Sequence, residues 1–428
     1  MLKNYTPLII FAGILIGLMI AEFVLRAAGI SYPIFSRIDG DLGAALRPQA
    51  EGWFKREGEV FVQINSAGLR DREHTMLKPD NVLRIAVLGD SFAEAMQVSM
   101  EETFWAVVER ELRGCPAVSA REPELINFGV SGYGTAQELI MLRRHVWTYA
   151  PDIVLLMITP TNDIRNNSRA LEKDEKRPYF VVKNGQLVED TSFRDLIGFR
   201  LRDSSLGQVI AQVRDSLRIF QLAIEATRRV AQPHRATYDQ SLYDDQRMDR
   251  TSRSGQQGEA PPWLRGEAGL NMETYMEPQD SAWKEAWHIT EDLIKLIHAE
   301  VESRGTVFMA TIVSSGPQVG PDQAARRVFE RRLGGADLFY SENRIRALGE
   351  NSFEVLALAP PFQAYAEEHR IFLHGFLNSG LGQGHWNIAG HHLAGQLIAQ
   401  ELCRKLASSQ PVQLTGHSSV SLSSSQIR

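Results

Sequence analysis

The chain opens on an apolar run and then settles into alternating strand and helix periods. Pro7 to Ala21 reads PLIIFAGILIGLMIA; after Glu22 the run resumes with Phe23-Val24-Leu25 before Arg26. A membrane-spanning helix wants about 20 apolar residues. This stretch reaches that length if Glu22 and Arg26 lie at the interface, where long side chains snorkel. Residues 31–80 read as a polar connector with short strands, and VFVQINSAGLR (60–70) alternates apolar and polar before turning at Gly68. An α/β alternation follows. LRIAVLGDS (83–91) is a buried strand, and Ser99 and Glu102 make a capping-box pattern before a helix carrying Phe104, Trp105, Val108 and Leu112. ELINFG (124–129) is a second strand, residues 135–146 a helix, and DIVLLMITP (152–160) a third, fully apolar strand.

The pattern then breaks. YFVVKNGQLVE (179–189) predicts a hairpin turning at Asn184-Gly185, and residues 202–230 one amphipathic helix. Residues 231–280 are polar, with a Pro261-Pro262 pair, and read as a loop or disordered insertion. The alternation resumes with a helix over 282–303, strands in TVFMATIVSS (306–315) and FEVLALAP (353–360), and a final helix over 387–406. The Ser-rich tail after Ser408 predicts disorder. Continuous apolar strands suit a parallel sheet covered on both faces. The expected fold is therefore a three-layer α/β/α sandwich around a doubly wound five-stranded parallel sheet of flavodoxin-like order. It carries an insertion at about 165–280 and an N-terminal transmembrane helix. Ligands in such sheets bind beyond the carboxyl ends of the strands.

Charge and cysteine content narrow the class. The net charge of −6 over 428 residues offers no basic stripe for phosphates, which argues against a nucleic-acid partner. Lys3 precedes the apolar run while Arg26, Arg37 and Arg47 follow it. The favoured topology is an uncleaved signal anchor with the N-terminus inside and the rest exported, facing the periplasm of a bacterial inner membrane or the exterior. Ala27-Ala28-Gly29 leaves cleavage as the other possibility. Only two cysteines occur, Cys115 and Cys403, in no metal-type spacing.

Chemistry-bearing residues stand where the sheet rule points. Gly89-Asp90-Ser91 follows strand one, Asn127-Phe128-Gly129-Val130-Ser131-Gly132 strand two, Thr161-Asn162-Asp163 strand three, and Gly384-His385-Trp386-Asn387 strand five. A serine hydroxyl becomes a nucleophile when a base within hydrogen-bond reach takes its proton, and histidine is the usual base near neutral pH. The oxyanion of acyl transfer wants preorganised donors, which the Ser91 and Gly132 N–H groups and the Asn162 amide can supply. Each motif alone is common in turns and caps; the joint placement is what carries weight.

With VLGDSFAEA, INFGVSGYG, TPTNDIRNN and GHWNIAGHHLA in this order, the chain resembles the SGNH/GDSL hydrolase superfamily. The INSAGLRDRE lead-in looks like a bacterial membrane-anchored subgroup. The resemblance covers roughly residues 60–168 and 282–406. It implies Ser91 as nucleophile, Gly132 and Asn162 as oxyanion donors and His385 as base, with no metal and no cofactor. Gly132 is preferred to Gly129 because the family glycine lies late in its block. The implied domains are an anchor (1–30), the connector (31–80), a hydrolase domain (81–406) and a tail (407–428).

One departure stands out. The family's aspartate three residues before the histidine is here Gly382, and residues 377–384 contain no carboxylate. Three readings follow: a Ser-His dyad with a backbone carbonyl orienting His385, a carboxylate from the insertion, or a protein that binds without hydrolysing. The expected function is hydrolysis of acyl esters on an envelope glycan or lipid. The alternatives are O-acyl transfer from the same serine and a non-catalytic polysaccharide-binding module. His391 and His392 read as packing and capping residues rather than metal ligands, His374 as a neighbour of the site, and Trp386 as core or pocket wall. In a flavodoxin-like order the first and last helices lie side by side, so Cys115 and Cys403 fall at one end of the sandwich. A disulfide and two buried thiols are both compatible with that placement.

Overall fold

In the computed structural model, residues 6–231, 272–350 and 352–408 are described. Five parallel strands form the central sheet: β1 (Val82–Leu88), β2 (Glu122–Asn127), β3 (Ile153–Ile158), β4 (Val307–Ile312) and β5 (Glu354–Ala357). Their order is β5-β4-β3-β1-β2, the expected doubly wound arrangement, whose direction reverses between β1 and β3. Strand side chains alternate between faces, and the core divides accordingly. Ala86, Leu88, Val154, Leu156 and Ile158 join one buried cluster. Leu83, Ile85, Val87, Ile153, Leu155 and Met157 join the other.

Among the helices are α1 (Thr6–Ala27), α2 (Phe104–Leu112), α3 (Thr135–Arg144), α4 (Ile197–Asp203), α5 (Ser205–Ser216), α6 (Arg218–Ala231), α7 (Ser281–Ser303), α8 (Ala359–His369) and α9 (Ile388–Ser408). α3 and α7 supply Leu139, Ile140, Trp287, Leu293 and Ile297 to the first cluster. α2, α8 and α9 supply Trp105, Val108, Phe362, Ile398 and Leu402 to the second. α2 and α9 pack so closely that a Cβ on Gly395 would stand 2.5 Å from the Val107 Cβ. Cys115 and Cys403 form a disulfide at the end of this pair, with Cα atoms 5.9 Å apart.

Several sequence expectations need correction. Ser99 makes no side-chain cap and only starts a short turn, Met100–Glu102. α2 begins after Thr103, whose hydroxyl accepts from the Ala106 N–H at 3.3 Å. The single helix expected over 202–230 is broken into the end of α4, then α5 and α6, with Ser204 capping α5. The Asn184-Gly185 hairpin forms as read, with Tyr179–Lys183 paired to Gln186–Asp190 and positive φ at both turn residues. Most of the polar stretch 231–280 and the Ser-rich tail lie outside the described residues.

The connector matters more than its composition suggests. Glu51–Phe54 and Val60–Gln63 form an antiparallel hairpin, and Val62, Ile64 and Leu69 bury against the first core cluster. A second antiparallel pair, His374–Phe376 with Gly380–Trp386, precedes α9. These two hairpins meet over the carboxyl end of the sheet.

Among the described residues one helix is long and apolar enough to cross a membrane. It covers Leu8–Ala27, with mean hydropathy 2.7 and none of it buried. Its polar residues pair with each other, Arg26 to Glu22 at 2.7 Å.

Candidate active site

β1 runs directly into the tight turn Gly89-Asp90-Ser91. A Cβ on Gly89 would stand 2.8 Å from the Ala93 Cβ and 2.9 Å from the Met157 Cβ, so the approach to β3 requires glycine. Ser91 heads a one-turn helix, Ser91–Glu94, capped by the Asp90 carboxylate, which accepts from the Phe92 N–H at 3.0 Å. The first N–H groups of a helix lack intrahelical partners, so the Ser91 amide points out of the turn.

Asp90 also organises the third block. Its carboxylate accepts from the Asn162 amide at 2.9 Å and from the Thr159 hydroxyl at 3.1 Å. Burial raises the Asp90 pKa, against the lowering effect of those bonds. Asn162 has a second amide hydrogen. Ser91, Gly132, Asn162 and His385 all line one cavity of about 600 Å³. Gly132 adopts φ +81°, and no atom lies within 4 Å of where its Cβ would be. Gly129 is different: a Cβ there would meet the Ala93 Cβ at 2.5 Å. Gly129 is a packing residue, and the later glycine is the one on the cavity.

His385 joins this group from the second hairpin. Its Nε2 lies 2.7 Å from Ser91 Oγ, and its Nδ1 lies 2.6 Å from the Glu57 carboxylate. Glu57 also accepts from the His385 backbone N–H at 3.3 Å. The Phe92 ring lies against the imidazole, centroids 4.8 Å apart. Burial disfavours the imidazolium, but the charge and hydrogen bond of Glu57, with Asp90 and Glu94 nearby, outweigh it. The His385 pKa therefore lies above the ordinary histidine value.

A carboxylate thus reaches His385, and it comes from neither the segment before His385 nor the insertion. Glu57 sits at the tip of the connector hairpin and is 6% exposed. Gly384, at φ +69°, leaves the space it occupies: a Cβ there would stand 2.8 Å from a Glu57 carboxylate oxygen. Asn378 clamps the tip, its Oδ1 accepting from the Gly58 N–H and its Nδ2 donating to the Gly58 carbonyl, both at 2.9 Å. Gly382 holds φ +78°, and a Cβ there would stand 2.9 Å from the Phe372 ring. A side chain at the family's aspartate position would be strained and crowded.

Nothing in the local pattern singled out Glu57. It is one of three acids in the hairpin, with Glu51 and Glu59, and only its reach across 328 residues separates it.

His374 braces the strand behind the site. It bonds the Gly384 carbonyl through Nδ1 at 2.8 Å and Ser314 Oγ through Nε2 at 3.0 Å. Burial drives its pKa down to about 4, so it is the neutral ring donating from Nδ1. The Trp386 indole N–H donates to the same Ser314 oxygen at 3.0 Å, and Trp386 is fully buried core. His391 stacks on Phe104 and its Nδ1 accepts from the Phe104 N–H at 3.3 Å. His392 pairs with Glu102. Among the described residues no cluster of three or more His, Cys, Asp or Glu could hold a metal ion.

A further buried carboxylate lies beside the site. Glu94 bonds the Ser131 hydroxyl beside the cavity, and burial pushes its pKa up to about 7.

No family model matches the sequence, and no curated protein does. Among solved structures, the chain is similar to an acetyl xylan esterase, at 11% identity and TM-score 0.34 over 74% of this chain and 99% of that one. It is also similar to a lipolytic protein of the G-D-S-L family from Desulfitobacterium hafniense, at 10% identity and TM-score 0.32 over 74% and 98%. A third is an acetylxylan esterase from Geobacillus stearothermophilus, at 10% identity and TM-score 0.35 over 76% and 96%. Likeness at this level carries no weight of its own beside the strand order and the site geometry.

Proposed function

We propose that this protein is a serine esterase of the SGNH type. The observation that carries the reading is the continuous chain from Ser91 Oγ through His385 to the Glu57 carboxylate, with links of 2.7 and 2.6 Å. Both links are within general-base reach. Ser91 attacks the ester carbonyl as His385 Nε2 takes its proton. The Ser91 and Gly132 N–H groups and the free hydrogen of the Asn162 amide receive the oxyanion. His385 then protonates the departing alcohol, and a water activated by the same imidazole releases the acid from Ser91. Glu57 holds the Nδ1–H tautomer and stabilises the imidazolium, as the acid of a Ser-His-Asp triad does.

A non-catalytic binding module drew its support from the missing carboxylate at Gly382; with Glu57 bonded to His385, that support is gone. The substrate is an acyl ester of an envelope glycan or lipid. The apolar helix α1 acts as the anchor, with the folded body exported. The Cys115–Cys403 disulfide suits an oxidising compartment. Turnover of a short-chain ester by the full chain in detergent, lost in Ser91→Ala, tests this reading. Acyl transfer to an added glycan in place of acid release would redirect it to an acyltransferase.

A further inference from the structure

Helix α5 carries an apolar face that nothing in the described structure covers. Leu206, Val209, Ile210 and Val213 recur at i, i+3, i+4 and i+7, one stripe of an amphipathic helix. They are 71%, 56%, 59% and 55% exposed. Gly207 packs on the end of α4, where a Cβ would stand 2.2 Å from the Leu201 carbonyl oxygen, and Asp215, on the side away from the stripe, is buried and paired with Arg47 of the body. On the adjoining α4, Ile197 and Leu201 are 77% and 67% exposed. Exposed apolar stripes of this kind mark an interaction surface.

The neighbours of this surface say what covers it. The junction between α5 and α6 is tied to the outer end of α1. The Glu22 carboxylate accepts from the backbone N–H groups of Arg218 and Ile219, both at 3.1 Å. Arg26 donates to the Ser216 carbonyl at 2.8 Å. Glu22 precedes the end of the spanning segment at Ala27 by five residues, about 8 Å along the axis at 1.5 Å per residue. Interfacial helices bury their apolar faces about 5–10 Å into the boundary between headgroups and acyl chains. The α5–α6 junction is therefore pinned at that depth. The exposed Arg200 and Arg202 flank the apolar positions, as cationic side chains flank them in helices that lie on anionic lipid.

We propose that α4 and α5 form an interfacial platform that lies on the lipid surface beside the α1 anchor. The proposal rests on the anchoring role of α1. Its consequence reaches the site: α4 also contributes Phe199 and Arg202 to the wall of the cavity that holds Ser91. The platform thus sets the cavity beside the bilayer, where an acyl ester carried by a lipid or held at the membrane surface is presented to it.

The test uses the full chain in nanodiscs of zwitterionic and anionic lipid, with single cysteines introduced and labelled by an environment-sensitive fluorophore while the native disulfide stays intact. Phe11→Cys reports on the anchor, Ile210→Cys on the platform, and Gln208→Cys on the far side of α5. Lipid-borne quenchers placed shallow and deep read the depth. The expected result is deep quenching at position 11, and shallow quenching at 210 several-fold stronger than at 208. Quenching at 11 with positions 210 and 208 alike would overturn the platform and leave the anchor standing. No quenching at 11 would remove the anchor and the platform with it. A dry label at 210 that lipid quenchers do not reach would assign the face to residues 232–271 or a second copy, and overturn the proposal.

Discussion

Ser91 and Asn162 stand in the first turns of short helices, Ser91–Glu94 and Pro160–Asn166, that follow directly on β1 and β3. Glu57 stands at the tip of a hairpin outside the sheet, held by Asn378 and by the space left at Gly384. The first group is placed by a fold-wide rule about where parallel strands deliver residues. The second is placed by a meeting of two hairpins more than 300 residues apart in sequence. The difference teaches that the proposed nucleophile and oxyanion groups of this site are inseparable from the fold, whereas the proposed orienting acid is a separable part. That part can be moved if another segment brings a carboxylate to His385 Nδ1.

Perturbations of the two regions should differ accordingly. Ser91→Ala removes the proposed nucleophile and should lower esterase kcat by about 10⁴–10⁶-fold, with the fold unchanged by circular dichroism. Glu57→Gln should cost roughly 10²–10⁴-fold and also change the pH profile. His385 must be neutral to accept a proton, and its pKa is raised, so activity falls as pH drops through a value above the ordinary histidine range. Removing the Glu57 charge leaves burial in control, so the acidic limb moves to lower pH while the plateau falls. An unchanged limb would argue that Glu57 does not act on the imidazole. Gly382→Asp should not restore Glu57→Gln, because φ +78° and the Phe372 ring deny the position to a side chain.

Asn162→Ala, on the sheet side, should lower kcat by about 10²–10³-fold with little change in KM, as expected for an oxyanion donor. Asn378→Ala loosens only the hairpin tip, and a loss on the order of tenfold in kcat is expected, with the pH limb shifted in the direction of Glu57→Gln. Smallest for catalysis is reduction of the Cys115–Cys403 bond, at the far end of the α2–α9 pair. It should leave kcat unchanged at 25 °C while lowering stability by about 2–5 kcal/mol, read as a fall in Tm.

The same contrast explains what could be read from the sequence. The five strands announced themselves as apolar runs, and the sheet rule then located Ser91, Gly132, Asn162 and His385, all of which line one cavity. Residues 202–230 read as one helix because their apolar spacing runs through Ser204 and Leu217, where the chain leaves α4 for α5 and α5 for α6. Glu57 was invisible for a different reason. Its role depends on tertiary contact alone, and the hairpin's three acids are equivalent until the chain is folded. The glycine at 382 showed that the usual acid was missing but not what replaces it, and the room that Gly384 leaves for Glu57 exists only in the folded chain.

The most direct test of the triad is the rate at which a fluorophosphonate probe labels the full chain in detergent, mapped by mass spectrometry and followed against pH. The account predicts labelling at Ser91 alone, with an acidic limb above the ordinary histidine range. In Glu57→Gln, labelling should be slowed by about 10²-fold or more and the limb moved to lower pH. A folded protein that does not label at Ser91, or one whose labelling is indifferent to Glu57→Gln, would contradict it.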